Sequence, residues 1–215
     1  MRSDRVLWTG ICCALLAAVL TALVVAEWPP LLAYDDRVAR ELHGHAVSHP
    51  GVTHAARILT DWVWDPLTMR ALAAVACVGL WWRGRRERAV LVALITVVAL
   101  AVQQGLKALV GRARPWWPDP VDTAFFSAYP SGHAMTATVV CGLLLWLLPR
   151  QAPRRAVCSA WAAAAVSVLG VGFTRLYLGV HWLSDVVAGW LLGAALVALA
   201  TCRSGARRRA GSTER

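Results

Sequence analysis

The chain has 215 residues, 58% of them hydrophobic and 16% charged, with a net charge of +10 and a mean hydropathy of +0.54. That balance excludes an ordinary soluble domain and makes lipid the solvent. The positive charge sits in short clusters between apolar runs, which marks it as a determinant of membrane topology and argues against nucleic acid as a partner.

From Val6 to Ala26 there is no Asp, Glu, Lys or Arg, and about 21 residues at 1.5 Å each cross a hydrocarbon core of roughly 30 Å. Arg2 and Arg5 before this run, and Val-Val-Ala26 at its end, also fit a cleaved signal peptide; the length of the run favours a retained first helix. An outer loop over 27–65 follows, in which Asp35 to Leu42 is predicted as a short amphipathic helix at the interface. His43, His45, His49 and His54 come next at spacings of two, four and five, a poor match to metal-ligand patterns, and read as solvated loop histidines. Asp61, Trp62, Trp64 and Asp65 read as interface residues. Apolar runs at about 67–82, 88–106, 134–148, 156–173 and 183–201 complete six spanning helices in an all-α bundle. The second is the least regular, since Arg70 interrupts it; Trp81 and Trp82 mark its interfacial end. The six cysteines lie in or beside apolar runs and read as small packing residues.

With six spans, the basic clusters at Arg2 and Arg5, 83–88, 150–155 and 203–209 share one side. The positive-inside rule makes that side cytoplasmic, with both termini, in a multi-pass protein of the cell membrane. The chain is thereby expected to divide into a first helix and outer loop (1–59), a membrane-embedded core (60–202) and a basic tail (203–215).

Three segments at the opposite, extracytoplasmic ends of the spans carry chemistry. Lys107 to Pro115 (KALVGRARP) closes the third span, which breaks between Gly111 and Pro115. Pro130 to His133 (PSGH) opens the fourth. Ser131 suits an N-cap, Gly132 lets backbone approach an anion, and the free amides and dipole of the helix start attract one. Thr174 to Asp185 (TRLYLGVHWLSD) joins the last two spans. On a helix starting near Val180, His181 and Asp185 share a face, so the carboxylate accepts the Nδ1 proton and Nε2 is free to attack phosphorus. Lys107, Arg114 and Arg175 supply three cations for the equatorial oxygens of a transferring phosphoryl group, the arginines as planar forks and the lysine as a point charge. Arg112 reads as a snorkelling cation outside the site. Trp116, Trp117, Phe125 and Phe126 form either the lip through which a head group enters or interfacial anchors.

In order and spacing, these segments resemble the signature of the type 2 phosphatidic acid phosphatase superfamily, which also contains soluble vanadium haloperoxidases. Lys107, Arg114 and Pro115 match its Lys, six residues, Arg-Pro; Pro130, Ser131, Gly132 and His133 match its Pro-Ser-Gly-His. Arg175, His181 and Asp185 match its Ser-Arg, five residues, His, three residues, Asp, with Thr174 in place of the serine. The resemblance covers roughly residues 60–200. It implies a phosphohistidine on His181, supported by Asp185, and a general acid, His133, that protonates the leaving alkoxide and later activates water. It implies phosphate binding by Lys107, Arg114, Ser131, Gly132 and Arg175, with neither metal nor cofactor.

The expected activity is hydrolysis of a lipid phosphomonoester such as phosphatidic acid or phosphatidylglycerol phosphate, with undecaprenyl diphosphate as the runner-up substrate and membrane lipids as the partners. Two rivals belong to other classes. A vanadate-dependent haloperoxidase uses nearly the same anion pocket, but those relatives are typically soluble and larger. A non-enzymatic lipid-binding membrane protein has no need of both histidines together with Asp185.

Overall fold

Helix α1, Arg2–Val25, takes up the first charge-free run and packs most extensively along α8, Leu183–Ala210, at the other end of the chain. The structure, a computed structural model, describes residues 2–149 and 151–210, with only the backbone for 2–3 and 203–210. Between those two helices run α2 (Pro29–Ser48), α3 (Pro50–Ile58), a π-helical turn (Leu59–Val63), α4 (Pro66–Trp82), α5 (Arg86–Val110), α6 (Gly132–Leu147) and α7 (Arg154–Tyr177). Helices α1, α4, α5, α6, α7 and α8 are the six spans, and no strand occurs among the described residues. The last span continues to Ala210; Arg150 and the end of the basic tail, 211–215, lie outside the described residues.

Helix α6 is central. Met135, Val139, Val140 and Leu143 are buried against Val92, Ile95 and Ala99 of α5, Met69 and Ala73 of α4 and Val171 of α7. At 16 residues it rises only about 24 Å, the shortest span, and its surroundings are other helices rather than lipid. The outer faces of the remaining spans present Leu15, Val19, Val75, Val97, Val166 and Leu169, as expected where the solvent is hydrocarbon. Close approach of α8 to α6 rests on small residues: a Cβ on Gly189 would lie 2.7 Å from the Ser131 carbonyl oxygen, and one on Gly193 would lie 3.0 Å from that of Met135.

Proline begins α2, α3 and α4, where its missing N–H costs nothing. Asp65, expected as an interface residue, caps α4 by accepting the Leu67 and Thr68 amides at 2.7 and 3.1 Å. Arg70 does not interrupt that helix; its guanidinium reaches Thr136 Oγ1 on α6. Trp64 is buried against α7, where a Cβ on Gly170 would meet its ring at 2.4 Å, and so is no interfacial side chain. α5 stops where Gly111 adopts the left-handed conformation, φ 61°, and its amide returns to the Lys107 carbonyl.

The expected outer loop is mostly helical. Instead of a short surface helix over Asp35 to Leu42, α2 has 20 residues and turns a stripe of Asp35, Ala39, His43 and Ala46 inward against α7 and α8. His43 is accordingly not solvated: it stacks on Trp117 with ring centroids 4.0 Å apart and places Nε2 3.2 Å from Asp119. His45, His49 and His54 are exposed.

Candidate active site

The three segments converge at one end of the bundle. The Ser131 amide donates to the Asp185 carbonyl at 2.9 Å, which joins the second segment to the third, and Arg114 reaches across from the first to the Val180 carbonyl and to His181. Ser131 does hold the N-cap position of α6, but its hydroxyl makes no capping bond; Oγ is buried without a hydrogen-bond partner among the described residues. Gly132 is the first residue of that helix, and the Gln103 side chain lies where a Cβ would stand, 2.6 Å from Nε2. The Thr174 hydroxyl, the one departure in the third segment, bonds back to the Val171 carbonyl of its own helix at 2.9 Å.

His181 is buried between two unlike neighbours. Its Nδ1 lies 3.2 Å from Asp185 Oδ2, and its Nε2 lies 3.2 Å from Nη1 of Arg114. Guanidinium only donates, so Nε2 must accept, which leaves the proton on Nδ1, facing the carboxylate. Burial, and then the charges of Arg114, Arg175 and Lys107, hold the His181 pKa well below the ordinary histidine value. The ring is therefore neutral at pH 7, with its Nε2 lone pair toward a cation. α8 starts at Leu183 and not near Val180, so the pair is formed at the helix entrance, where the Asp185 carboxylate also accepts the Trp182 amide at 2.9 Å.

Arg112 is placed differently from its expected surface role. It is largely buried, stacks over Trp182 at 5.5 Å, and donates Nη1 to Asp185 Oδ1 at 2.7 Å and to Ser184 Oγ at 2.6 Å, while Nη2 donates to Asp35 Oδ2 at 2.8 Å. A snorkelling cation would face water; this one is held inside by two buried carboxylates, each otherwise costly to desolvate. Asp35 was not legible as a site residue. The local signal was its place on a stripe with Ala39 and Ala46, small residues that allow a helix face to approach a neighbour closely.

The phosphate-binding candidates line the other flank. Lys107 donates to the Ser127 carbonyl. Arg114 donates to the carbonyls of Phe126 at 2.9 Å and Phe125 at 3.3 Å, and burial, followed by the charge of Arg175, pushes its pKa down to about 10, which leaves it charged at neutral pH. Arg175 is buried, with Nη1 3.6 Å from Asp122 Oδ2 and 3.4 Å from Thr60 Oγ1, and its Nε has no partner among the described residues. His133, half-buried in the first turn of α6, shares the electrostatic field of Arg175, His181, Arg114 and Lys107. Trp116, Phe125 and Phe126 are exposed beside this cluster, whereas Trp117 turns inward and donates to the Gly179 carbonyl at 2.8 Å. Three cations, a buried hydroxyl and an acceptor nitrogen can together hold and attack a tetrahedral oxyanion.

Comparison with known proteins gives a consistent result. The sequence profile of the PAP2 superfamily matches residues 88–209. The chain is 28% identical over 142 residues to an undecaprenyl-diphosphatase of Sulfolobus acidocaldarius, covering 62% of this chain and 59% of that protein. It is 36% identical over 90 residues to phosphatidylglycerophosphatase B of Bacillus subtilis, covering 41% and 44%, so the matches to these two relatives span about half their length. It is 34% identical over 168 residues to a decaprenylphosphoryl-5-phosphoribose phosphatase of Mycobacterium tuberculosis, covering 76% and 87%. In fold it is similar to the crystal structure of a transmembrane PAP2-type phosphatidylglycerolphosphate phosphatase from Bacillus subtilis, with a TM-score of 0.73 at 20% identity, covering 94% of this chain and 97% of that one.

Proposed function

Because this chain belongs to the PAP2 superfamily, we propose that it is a membrane phosphatase that removes a terminal phosphate from a lipid through a phosphohistidine on His181. The observation that carries this reading is the setting of His181, with Nδ1 3.2 Å from Asp185 Oδ2 and Nε2 3.2 Å from Arg114 Nη1, which puts the proton on Nδ1 and turns the Nε2 lone pair to the side where an anion would lie.

In the proposed sequence Lys107, Arg114 and Arg175 bind the phosphate oxygens, with Ser131 and the amide of Gly132 completing the cradle. The Nε2 lone pair forms a bond to phosphorus as the ester P–O bond breaks, and His133 gives its proton to the departing alkoxide. The Nδ1 proton stays with His181 while Asp185 stabilises the developing positive charge. His133 then takes a proton from water, whose oxygen attacks phosphorus and releases phosphate. Positioning and charge supply the catalysis, as the loose phosphoryl transition state requires.

The named relatives act on undecaprenyl diphosphate, phosphatidylglycerophosphate and decaprenylphosphoryl-phosphoribose; what these names share is a phosphate on a lipid. Phosphatidic-acid-like monoesters are the first expectation here. A polyprenyl substrate is the second, favoured by the likeness to the mycobacterial enzyme over 76% of the chain. Basic clusters at the ends of the spans opposite the site support an extracytoplasmic active site.

The test is phosphate release by detergent-purified protein in excess EDTA from phosphatidic acid, phosphatidylglycerol phosphate, undecaprenyl diphosphate and p-nitrophenyl phosphate, beside His181→Ala. The expected result is turnover of at least one lipid that disappears in the variant. Turnover that survives in His181→Ala overturns the assignment of the nucleophile, and binding of all the lipids without turnover would make this a lipid-binding protein.

A further inference from the structure

Arg112 creates an electrostatic problem for the nucleophile. Its Nη1 sits 2.7 Å from Asp185 Oδ1, on the carboxylate that must support His181, and one guanidinium on one carboxylate leaves a net charge near zero. A neutral pair is a weak partner for the positive charge that grows on imidazole as Nε2 bonds to phosphorus.

Asp35 resolves this. It reaches in from α2, before the region matched by the family profile, and it is 1% exposed. Its Oδ2 accepts Arg112 Nη2 at 2.8 Å and the Ser184 hydroxyl, and its Oδ1 accepts the Ser184 amide at 2.9 Å. Ser184 stands next to Asp185 at the entrance of α8, so Asp35 fixes both the guanidinium and the backbone that presents the carboxylate.

The geometry points to Asp35 as a positioning residue for catalysis: it neutralises Arg112, so that the Asp35–Arg112–Asp185 chain keeps one net negative charge beside His181. Arg112 then orients Asp185 without cancelling it. The inference rests on the reading of His181 as the nucleophile.

The experiment is the kinetics of hydrolysis, in detergent micelles, of the lipid of the panel that the wild type turns over fastest, with competitive inhibition by inorganic phosphate reporting the phosphate flank. Asp35→Asn removes the compensating charge, and kcat is expected to fall roughly tenfold to a hundredfold, as for other residues that orient a catalytic partner. KM and inhibition by inorganic phosphate should stay within about threefold, since no phosphate contact is altered. Adding Arg112→Gln restores a net charge of minus one, and the double variant is expected to be faster than Asp35→Asn; a purely structural Asp35 would be damaged further by the second change. If Asp35→Asn does not fold, Asp35→Asn/Arg112→Gln against Asp35→Asn/Arg112→Lys makes the same comparison of charge, and the Gln variant must be the faster. Equal rates in either comparison overturn the inference, as does an Asp35→Asn enzyme with wild-type kcat. A wild type inactive on every lipid of the panel, or an active His181→Ala, overturns the underlying assignment as well, which separates the two failures.

Discussion

The two flanks of His181 are built on opposite principles. On the Nδ1 flank, Asp185, Arg112, Asp35 and Ser184 form a buried network in which both carboxylates and the guanidinium are engaged by protein groups. On the Nε2 flank the cations reach carbonyls of Phe125, Phe126 and Ser127 in an irregular segment and that of Val180, with Thr60 and Asp122 beside Arg175, and three buried polar atoms, Ser127 Oγ, Ser131 Oγ and Arg175 Nε, have no partner among the described residues. The difference teaches how the work is divided. On the proposed mechanism, the side that must not move during the reaction is the saturated and packed one, whereas the side that would receive the anion holds most of its donors on backbone carbonyls that a phosphate could replace. Preorganisation would thus be concentrated where that mechanism develops charge on the protein.

The comparison breaks most sharply at Asp185. Asp185→Asn should leave binding of inorganic phosphate intact and lower kcat by about a thousandfold to ten-thousandfold, because the amide favours the wrong imidazole tautomer; steady-state kinetics with full activity would refute the saturated flank as the source of basicity. Next in size, Arg175→Ala on the receiving flank is expected to lose roughly a hundredfold to a thousandfold in kcat, together with vanadate inhibition, the cost of deleting one charge-stabilising donor. A loss in KM alone would mean that Arg175 only recruits substrate.

A smaller effect separates the flanks by titration. Since burial and the three cations lower the His181 pKa, protonation begins only below the ordinary range, and at pH 6 the ring should remain neutral where a free imidazole is about three-quarters protonated. The imidazole nitrogen shifts of 15N-histidine protein provide the reading, and a midpoint near the unperturbed value would contradict the geometry. Arg114 behaves in the opposite sense at the other extreme, losing its charge as pH rises through about 10, so vanadate affinity should weaken on that alkaline side. The least effect is expected at Asp122, 3.6 Å from Arg175, where it would compete with a bound phosphate: Asp122→Asn should tighten vanadate inhibition about twofold to threefold, the range of a weak ion pair. Weaker inhibition would make Asp122 part of the anion site instead.

Much of this was legible before any coordinates. The spans expected at 67–82 and 134–148 appear at Pro66–Trp82 and Gly132–Leu147, since hydrocarbon tolerates only backbone satisfied within its own helix and an apolar surface. The residues of the three segments come together because each sits at the same end of an alternating set of spans. Arg112 and His43 were misread for one shared reason. A charged or polar residue in a polar segment looks solvated, and only a partner 77 residues away, Asp35 for Arg112, or a stacked Trp117 for His43, makes its burial affordable.

The sequence by itself determined the solvent, the six spans and the end of the bundle at which the three segments meet, because these follow from composition and short spacing. Only the tertiary structure decided that α2 folds back to bury Asp35, that Arg112 belongs to the carboxylate flank, and that Ser131 caps nothing. Ion pairs in a low-dielectric interior are set by which elements pack together, and that pairing is a property of the whole chain rather than of any segment.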